Sequence, residues 1–154
     1  MKKKTILFSI ICFIALIALT GCGNKKAITL EEFKSEAQKE NLTISDTISQ
    51  FKNYSQIKSA TAAKSSDGWQ VEFYVLDSND SAISMFNTNK EIFENSKNGL
   101  SSNSSISLNN YESYVLKTNG YYKSVSRIDN TLVFVNVLEK HEDNVKDFLK
   151  KLGY

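Results

Sequence analysis

The sequence predicts an α+β domain in which an antiparallel sheet of about five strands packs with about three helices. The first observation is a strand-like run over 111–138, interrupted by Asn119-Gly120 and Asp129-Asn130. Asn-Gly is the strongest two-residue hairpin turn, so this run predicts a three-stranded meander. The second observation is that three segments carry apolar residues at helical spacing. Because these alternate with strand patterns, the predicted order is helix, two strands, helix, three strands, helix.

The first helix is predicted over residues 30–40. Thr29 stands three residues before Glu32, which is the pattern of a capping box. Ile28 before the cap and Phe33 after it fit a hydrophobic staple. These signals place the beginning of the domain close to residue 29.

The first two strands are predicted at 57–64 and 69–76. Residues 41–56 are irregular and are expected to form loop with some turn. Weak alternation over 57–64 predicts an edge strand, and Ser65-Ser66-Asp67-Gly68 predicts the turn after it. The next strand has a clear period of two. One of its faces carries Trp69, Val71, Phe73 and Val75.

Two further helices are predicted, one on each side of the meander in the chain. The second helix spans about 79–96 and is capped by Asp77 or Ser78. The segment 97–110 is rich in Ser and Asn, so a mobile loop is expected there. The last helix spans about 142–152. Its apolar stripe contains Val145, Phe148, Leu149 and Leu152.

Two-residue turns fix the register of the meander. Glu112 then lies opposite Arg127, and Val125 lies opposite both Tyr114 and Phe134. One face carries Tyr114, Leu116, Tyr121, Val125, Leu132, Phe134 and Leu138. The other carries Tyr111, Val115, Tyr122, Ile128, Val133, Val135 and Val137, with Ser113, Ser124 and Ser126 among them. Because both faces are substantially apolar, either both are partly covered or one exposes a binding patch.

The N-terminus has the pattern of an export signal. Three lysines follow Met1, and an apolar run extends over residues 6–19. A membrane-spanning helix needs about 20 apolar residues, so this run has the length of a secretory signal instead. It ends in Leu19-Thr20-Gly21-Cys22.

These four residues resemble the lipobox of bacterial lipoproteins. The resemblance implies that the thiol of Cys22 receives a diacylglyceryl group. It also implies that a signal peptidase recognises Leu19, Thr20 and Gly21 and cleaves before Cys22, after which the new amino terminus can be acylated with a fatty acid such as palmitate. The alternatives are an ordinary cleaved signal peptide with an incidental cysteine, or a retained membrane helix.

The lipobox divides the chain into three parts. The resemblance implies that residues 1–21 are a cleaved signal peptide, that 22–28 are the lipidated cysteine and a short tether, and that 29–154 are one extracytoplasmic domain. Lipid on Cys22 would hold this domain at the outer face of the cell membrane. Lys25 and Lys26 of the tether have two interpretations. Either they bind anionic headgroups, each with a favourable free energy of roughly 1 kcal/mol, or they are ordinary solvated side chains.

Two further resemblances concern the mature chain. Its start, Thr29 to Phe33 (Thr-Leu-Glu-Glu-Phe), is similar to that of small extracytoplasmic lipoproteins of Gram-positive bacteria. The order of its elements is similar to that of PsbP-like domains, some of which are bacterial lipoproteins, but no motif is shared. These resemblances imply a location and leave the activity open.

Charge and cysteine content exclude several classes of function. The chain has 19 Lys and Arg residues against 17 Asp and Glu; without the three signal lysines, 16 basic residues remain and the net charge becomes −1. No basic stripe is present, so nucleic acid is not an expected partner. Cys12 leaves with the signal and Cys22 carries lipid. The mature domain therefore lacks free thiols, disulfides and cysteine ligands for a metal.

Motifs for catalysis are absent. His141 is the only histidine and lies among charged residues. The sequence contains no zinc-protease, nucleophile-elbow, phosphate-loop or dinucleotide fingerprint. We therefore expect a non-enzymatic protein without a cofactor or a bound metal.

The candidate binding face consists of Tyr114, Tyr122 and Arg127. Tyrosine buries a large area and still offers a hydroxyl group, which suits binding surfaces. Arg127 is the only arginine, and either pairs with Glu112 across the strands or binds an anion. The alternative for both tyrosines is ordinary packing in the sheet.

Two functions fit these observations. The first is an envelope-associated module whose sheet face, or whose Ser/Asn-rich segment, contacts another protein or the cell wall. The alternative is a domain that binds a small ligand, such as a solute, between its sheet and a helix. The sequence identifies neither the protein partner nor the ligand.

Overall fold

The computed structural model describes residues 24–154; the predictions for Leu19, Thr20, Gly21 and Cys22 lie outside this range. The helices are α1 (Leu30–Lys39), α2 (Asn79–Asn95) and α3 (Glu142–Lys151). The strands are β1 (Thr43–Asp46), β2 (Ile57–Lys64), β3 (Gln70–Leu76), β4 (Ser101–Leu108), β5 (Tyr111–Thr118), β6 (Tyr121–Ile128) and β7 (Thr131–Leu138). Short 3-10 turns occupy Ile48–Phe51 and Glu139–His141. None of the helices in residues 24–154 is long and apolar enough to cross a membrane.

One antiparallel sheet in the order β1-β2-β3-β7-β6-β5-β4 organises the domain. The α+β class is confirmed, but the described residues form seven strands, where about five were expected. The two additional strands are its edges, β1 and β4. They fall in segments predicted to be loop, because β1 is only four residues long and β4 is rich in Ser and Asn. Hydrogen bonding to a neighbouring strand overrides these weak local preferences.

The sequence predicted β2 to be an edge strand. In the structure it lies between β1 and β3 instead. Its alanines are buried, and Ala63 is fully inaccessible. Small side chains give weak alternation in a sequence even where a strand is central.

The meander has the predicted register. Glu112 pairs with Arg127, and Val125 pairs with Tyr114 on one side and with Phe134 on the other. Asn119 and Gly120 have φ angles of 52° and 74°, as the tight hairpin turn requires. The local turn chemistry therefore determines which side chains share a face.

The helices α1 and α3 cover one face of the sheet. The ring of Phe33 from α1 stacks on Phe73 of β3 with 4.9 Å between centroids, and lies 6.0 Å from Phe148 of α3. The buried cluster around them includes Tyr122 and the valines of β7. This face contains the larger of the two hydrophobic cores.

The helix α2 covers the opposite face. It packs chiefly on β6, with further contacts to β5 and β7, and buries Phe86 and Phe93. The part of this face over β2 and β3 is left to the 3-10 turn Ile48–Phe51. Both faces of the meander are therefore covered, and only part of the β2–β3 side remains open.

The helix ends follow the sequence signals. The Glu32 N–H donates to Thr29 Oγ1 at 3.1 Å, and the Thr29 N–H donates to Glu32 Oε2 at 2.7 Å, which is a complete capping box. The Oγ of Ser78 accepts from the Ser81 N–H at 3.1 Å and caps α2. Gly153, with a φ of 85°, follows α3 and ends it.

Candidate functional site

Tyr114 and Tyr122 of the predicted binding face are both buried in the folded domain. Tyr114 points toward α2 and is 1% exposed, whereas Tyr122 lies on the opposite side of the sheet and is 2% exposed. The two tyrosines thus do not share one exposed surface in the folded domain, and the binding role predicted for them stays a prediction. Alternation along adjacent strands places them on opposite faces, and each face has a helical cover.

Arg127 forms the cross-strand ion pair with Glu112. Its Nε lies 2.5 Å from Glu112 Oε2, and its Nη1 lies 3.5 Å from the carbonyl oxygen of Asn110. The arginine is 6% exposed. This guanidinium is occupied by groups of the protein itself and is not presented to an external anion.

The structure instead contains a cleft on the α2 side of the sheet. It has a volume of about 670 Å³ and lies between α2, the 3-10 turn and strand β3. Volumes of 300–1,000 Å³ are typical of small-molecule sites. A smaller cavity of about 210 Å³ adjoins it and shares Gln50, Phe51 and Glu72 with it.

Small residues of β2 lie on the same side of the sheet as the cleft, and Ala62 lines the adjoining smaller cavity. Ala60 and Ala62 pair with Tyr74 and Glu72, so all four side chains point toward the α2 side. The methyl groups of the two alanines fill little of the space above the strand. Since α2 packs over the other half of the sheet, this space is not filled by a helix.

Aromatic rings form much of the cleft wall. Phe51 lies edge-on to Tyr74 with 5.5 Å between centroids, and it contacts Tyr54 in a similar way at 6.4 Å. The remaining apolar lining comes from β2, α2 and β7. It consists of Ile57, Met85, Ile92 and Phe134. Ile92 is 57% exposed, so the sequence-predicted apolar stripe of α2 is used partly for the cleft and not wholly for the core.

Glu72 is the one charged residue among those that line the cleft. Its carboxylate accepts a hydrogen bond from Gln70 Nε2 at 2.9 Å and another from the hydroxyl of Tyr74. Burial and the contact with Glu72 raise the pKa of Tyr74 well above its ordinary value, so this hydroxyl stays protonated. No lysine or arginine within residues 24–154 forms an ion pair with Glu72. The cleft therefore contains a hydrogen-bonded carboxylate that has no ion-pair partner among the described residues.

Polar groups of α2 lie opposite Glu72. The Thr88 hydroxyl donates to the Ser84 carbonyl oxygen at 2.9 Å, and the Asn89 Nδ2 donates to the Met85 carbonyl oxygen at 2.8 Å. Both side chains also line the cleft. An apolar wall with a few fixed polar groups is the usual composition of a ligand site.

Sequence reasoning missed this site for two reasons. The 3-10 turn at 48–51 was not predicted, and Phe51 and Tyr54 within 41–56 had no assigned partner. The period of two in the strand 69–76 puts Glu72 and Tyr74 on the face opposite Val71 and Phe73, which is correct, but nothing local indicated that this face was open. The available signal in the sequence was Glu72 itself, an acidic residue in a strand whose other residues are mostly apolar.

His141 lies in the 3-10 turn before α3 and is partly exposed. Among residues 24–154, no group of three or more His, Cys, Asp and Glu side chains is arranged to hold a metal ion. The described part of the chain thus offers no assembled site for metal-assisted chemistry.

The edge strand β4 is a second exposed feature. All eight of its residues are exposed, including Ile106 at 50% and Leu108 at 59%. It carries no lysine, proline or bulge of the kind that protects sheet edges. The opposite edge, β1, is only four residues long and ends in Asp46.

Comparisons with models of protein families, with curated proteins and with solved structures find no match for this chain.

Proposed function

We propose that this chain is a membrane-anchored extracytoplasmic lipoprotein, non-enzymatic, whose domain binds a small organic ligand in the cleft between α2 and β3. The anchor is inferred from Leu19-Thr20-Gly21-Cys22. The ligand function is inferred from one observation: a cleft of about 670 Å³ with aromatic walls and one carboxylate that forms no ion pair.

The lining determines the chemistry of the ligand. Aromatic and aliphatic walls stabilise an apolar body by about 25 cal/mol per Å² of buried apolar surface. The Glu72 carboxylate accepts hydrogen bonds and attracts positive charge, and the rings of Phe51, Tyr54 and Tyr74 are suited to a cation as well. We therefore propose a largely apolar ligand that carries an ammonium or another hydrogen-bond donor.

Occlusion of the cleft tests this proposal. Ser84 lines the cleft from α2 and is exposed, so Ser84→Trp would fill part of the space without entering the core. Asn87 is exposed on the same helix but outside the lining, so Asn87→Trp is the matched control. The proteins are screened against a metabolite library by thermal shift, because a ligand of the folded state raises the melting temperature by mass action.

The expected result is a ligand-dependent shift in the wild type and in Asn87→Trp that is absent in Ser84→Trp. Glu72→Gln should retain neutral ligands and weaken cationic ones at least tenfold. A ligand-dependent rise in melting temperature that is retained in Ser84→Trp would show that the ligand binds outside the cleft. No shift from any compound in the library would count against ligand binding.

The anchor has its own test. Cells that produce the full chain are fed an alkyne fatty acid, and the protein is examined for label and for mass. Wild type should carry lipid on Cys22 and fractionate with membranes, whereas Cys22→Ala should be unlabelled. Label on the Cys22→Ala protein would refute the assignment of the lipobox.

A second candidate function is protein binding at β4, favoured by its open eight-residue edge. An extended segment of an envelope protein could add a strand there through main-chain hydrogen bonds. Crosslinking in intact cells tests this candidate, with Ser104→Lys and Ile106→Lys introduced to block the edge. Thr43→Lys on the opposite edge is the control. A neighbour lost in the β4 variants alone would support this candidate, and a neighbour retained in all of them would refute it.

A further inference from the structure

The tether is fastened to the domain at Lys25. Its backbone N–H donates to Asn110 Oδ1 at 3.0 Å, and its carbonyl oxygen accepts from Asn110 Nδ2 at 2.7 Å. The Lys25 ammonium donates to the Gly153 carbonyl oxygen at 2.8 Å and lies 3.8 Å from the centroid of the Tyr111 ring. Four contacts from one residue hold the chain at this point, and we call them the Lys25 clamp.

The clamp lies at one end of the sheet. Asn110 belongs to the β4–β5 turn, and its carbonyl oxygen accepts from the N–H of Asp129 in the β6–β7 turn at 2.9 Å. The carbonyl oxygen of Asn130 in the same turn accepts from the N–H of Leu76, the last residue of β3, at 2.8 Å. These turns, with the start of β2, form what we call the Asn110 end. The turns at 65–68 and 119–120 form the opposite end, about 27 Å away for eight-residue strands at about 3.4 Å per residue.

The position of the clamp limits the distance to Cys22. Only Gly23 and Asn24 separate Lys25 from that cysteine. A fully extended chain covers about 3.6 Å per residue, so the Cys22 Cα lies within about 11 Å of the Lys25 Cα. This reach is shorter than half the length of the sheet. A lipid on Cys22 cannot enter a bilayer that faces the opposite end of the domain.

We infer that the Lys25 clamp fixes the orientation of the domain on the membrane, with the Asn110 end toward the lipid and the opposite end away from it. This inference rests on the lipid anchor of the proposed function. The partner is the bilayer itself. The clamp acts on a tether that would otherwise let the domain turn freely.

The residues exposed at the Asn110 end fit this orientation. Leu108, the last residue of β4, is 59% exposed and Tyr54, which precedes β2, is 54% exposed. Aliphatic and tyrosine side chains are favoured at the water–lipid interface. Tyr54 also lines the cleft, so the orientation brings one part of the cleft lining close to the headgroups.

The two lysines of the tether have partners within the domain. The Lys25 ammonium is held by Gly153 and Tyr111, and the Lys26 ammonium lies 3.3 Å from Glu32 Oε1. Both lysines proposed to meet headgroups therefore have partners in the protein.

Labels at the two ends of the sheet test the inference. The full chain is produced in a lipoprotein-processing bacterium, and its lipidation is verified by mass. A cysteine introduced by Asn109→Cys or by Asp67→Cys is then the one free thiol, because Cys12 is removed and Cys22 is blocked by lipid. Each protein is labelled with a fluorophore and reconstituted into phosphatidylcholine vesicles that contain a nitroxide-headgroup lipid.

The expected result is quenching at Asn109→Cys at least twofold greater than at Asp67→Cys. Lys25→Ala and Asn110→Ala should bring the two values together, whereas Lys26→Ala, which removes a surface ion pair, should leave the difference intact. Equal quenching in the wild-type background would overturn the orientation. A difference that persists in both clamp variants would overturn the clamp as its cause. Absence of lipid by mass would instead refute the anchor, so the two failures are distinguishable.

Discussion

Glu142 is the residue whose charge we expect to contribute most to stability. It is the first residue of α3 and is 9% exposed. Lys117 Nζ lies 2.5 Å from its Oε2, and the Lys146 ammonium contacts its Oε1. Burial by itself would raise the pKa of Glu142, but the two lysines outweigh burial and hold the pKa below its ordinary value.

Glu142→Gln keeps the size of the side chain and removes the charge. Hydrogen bonds to charged groups contribute about 1.5–3 kcal/mol each when buried. The side chains of Lys117 and Lys146 are 37% and 53% exposed, so solvent screening reduces this figure considerably. We expect Glu142→Gln to lower the free energy of unfolding by about 1–2 kcal/mol at pH 7, or roughly 4–8 °C in melting temperature.

The pH dependence identifies charge as the cause. Since the folded-state pKa is lowered, the stabilisation by Glu142 is fully present above the unfolded-state pKa of about 4.3 and is lost as the pH falls through the folded-state pKa. The difference between wild type and Glu142→Gln should therefore be greatest above about pH 5 and shrink at lower pH.

Urea titrations of both proteins from pH 3 to pH 7 measure this difference. Glu139→Gln is the control, because Glu139 is exposed and lies 3.9 Å from the same Lys117 ammonium. It should change the free energy of unfolding by less than about 0.5 kcal/mol. A deficit in Glu142→Gln that is equal at pH 3 and pH 7 would show that packing is responsible, and the electrostatic reasoning would be refuted.

Three further predictions concern single substitutions that change stability. Thr29→Ala removes the capping box and should lower the free energy of unfolding by about 1 kcal/mol by thermal melting; an unchanged melting temperature would contradict the role of the cap. The Tyr114 hydroxyl is buried without a hydrogen-bond partner among the described residues. Tyr114→Phe should therefore be neutral or stabilising by up to about 1 kcal/mol, whereas Tyr114→Ala should cost about 3–5 kcal/mol in a urea titration. A loss in Tyr114→Phe as large as in Tyr114→Ala would refute the packing role. Gly120→Val places a β-branched residue at a φ of 74° with open space around it, and should cost about 1–2 kcal/mol from backbone strain alone. Equal denaturation midpoints for wild type and Gly120→Val would show that the turn relaxes, and would contradict the expected strain.

The meander was predictable because its information is local. Asn119-Gly120 requires two positive φ angles, and such a turn sets the register of both flanking strands. The pairings of Glu112 with Arg127 and of Tyr114 with Val125 follow by counting outward from the turn. The capping residues Thr29 and Ser78 were predictable for the same reason, since each interacts within three residues.

The edge strands were not predictable in this way. The segment 101–108 contains five serines and one asparagine, which favour turns when considered alone. It is a strand because β5 offers it an unpaired edge along its whole length. The position of β2 at the interior of the sheet likewise depends on β1, which pairs with it from a segment that has little strand pattern.

The candidate site shows the same division. The sequence identified Tyr114, Tyr122 and Arg127 as notable side chains, but exposure depends on what packs above each face. Arg127 pairs with Glu112, which was one of the two interpretations of this arginine. Tyr114 and Tyr122 are buried in the core. The cleft depends on where α2 crosses the sheet, and no short stretch of sequence specifies that crossing.

The sequence by itself determined the α+β class, the three helices and the meander with its register. All of these depend on interactions between residues close together in the chain, where spacing translates directly into geometry. The resemblance of Leu19-Thr20-Gly21-Cys22 to a lipobox stays a prediction. The tertiary structure alone decided which strands are edges, which aromatic side chains are buried, that Glu72 faces a cleft, and that Lys25 is clamped to Asn110 and Gly153. These features join segments up to 128 residues apart. They depend on how whole elements pack, and packing is a property of the assembled chain.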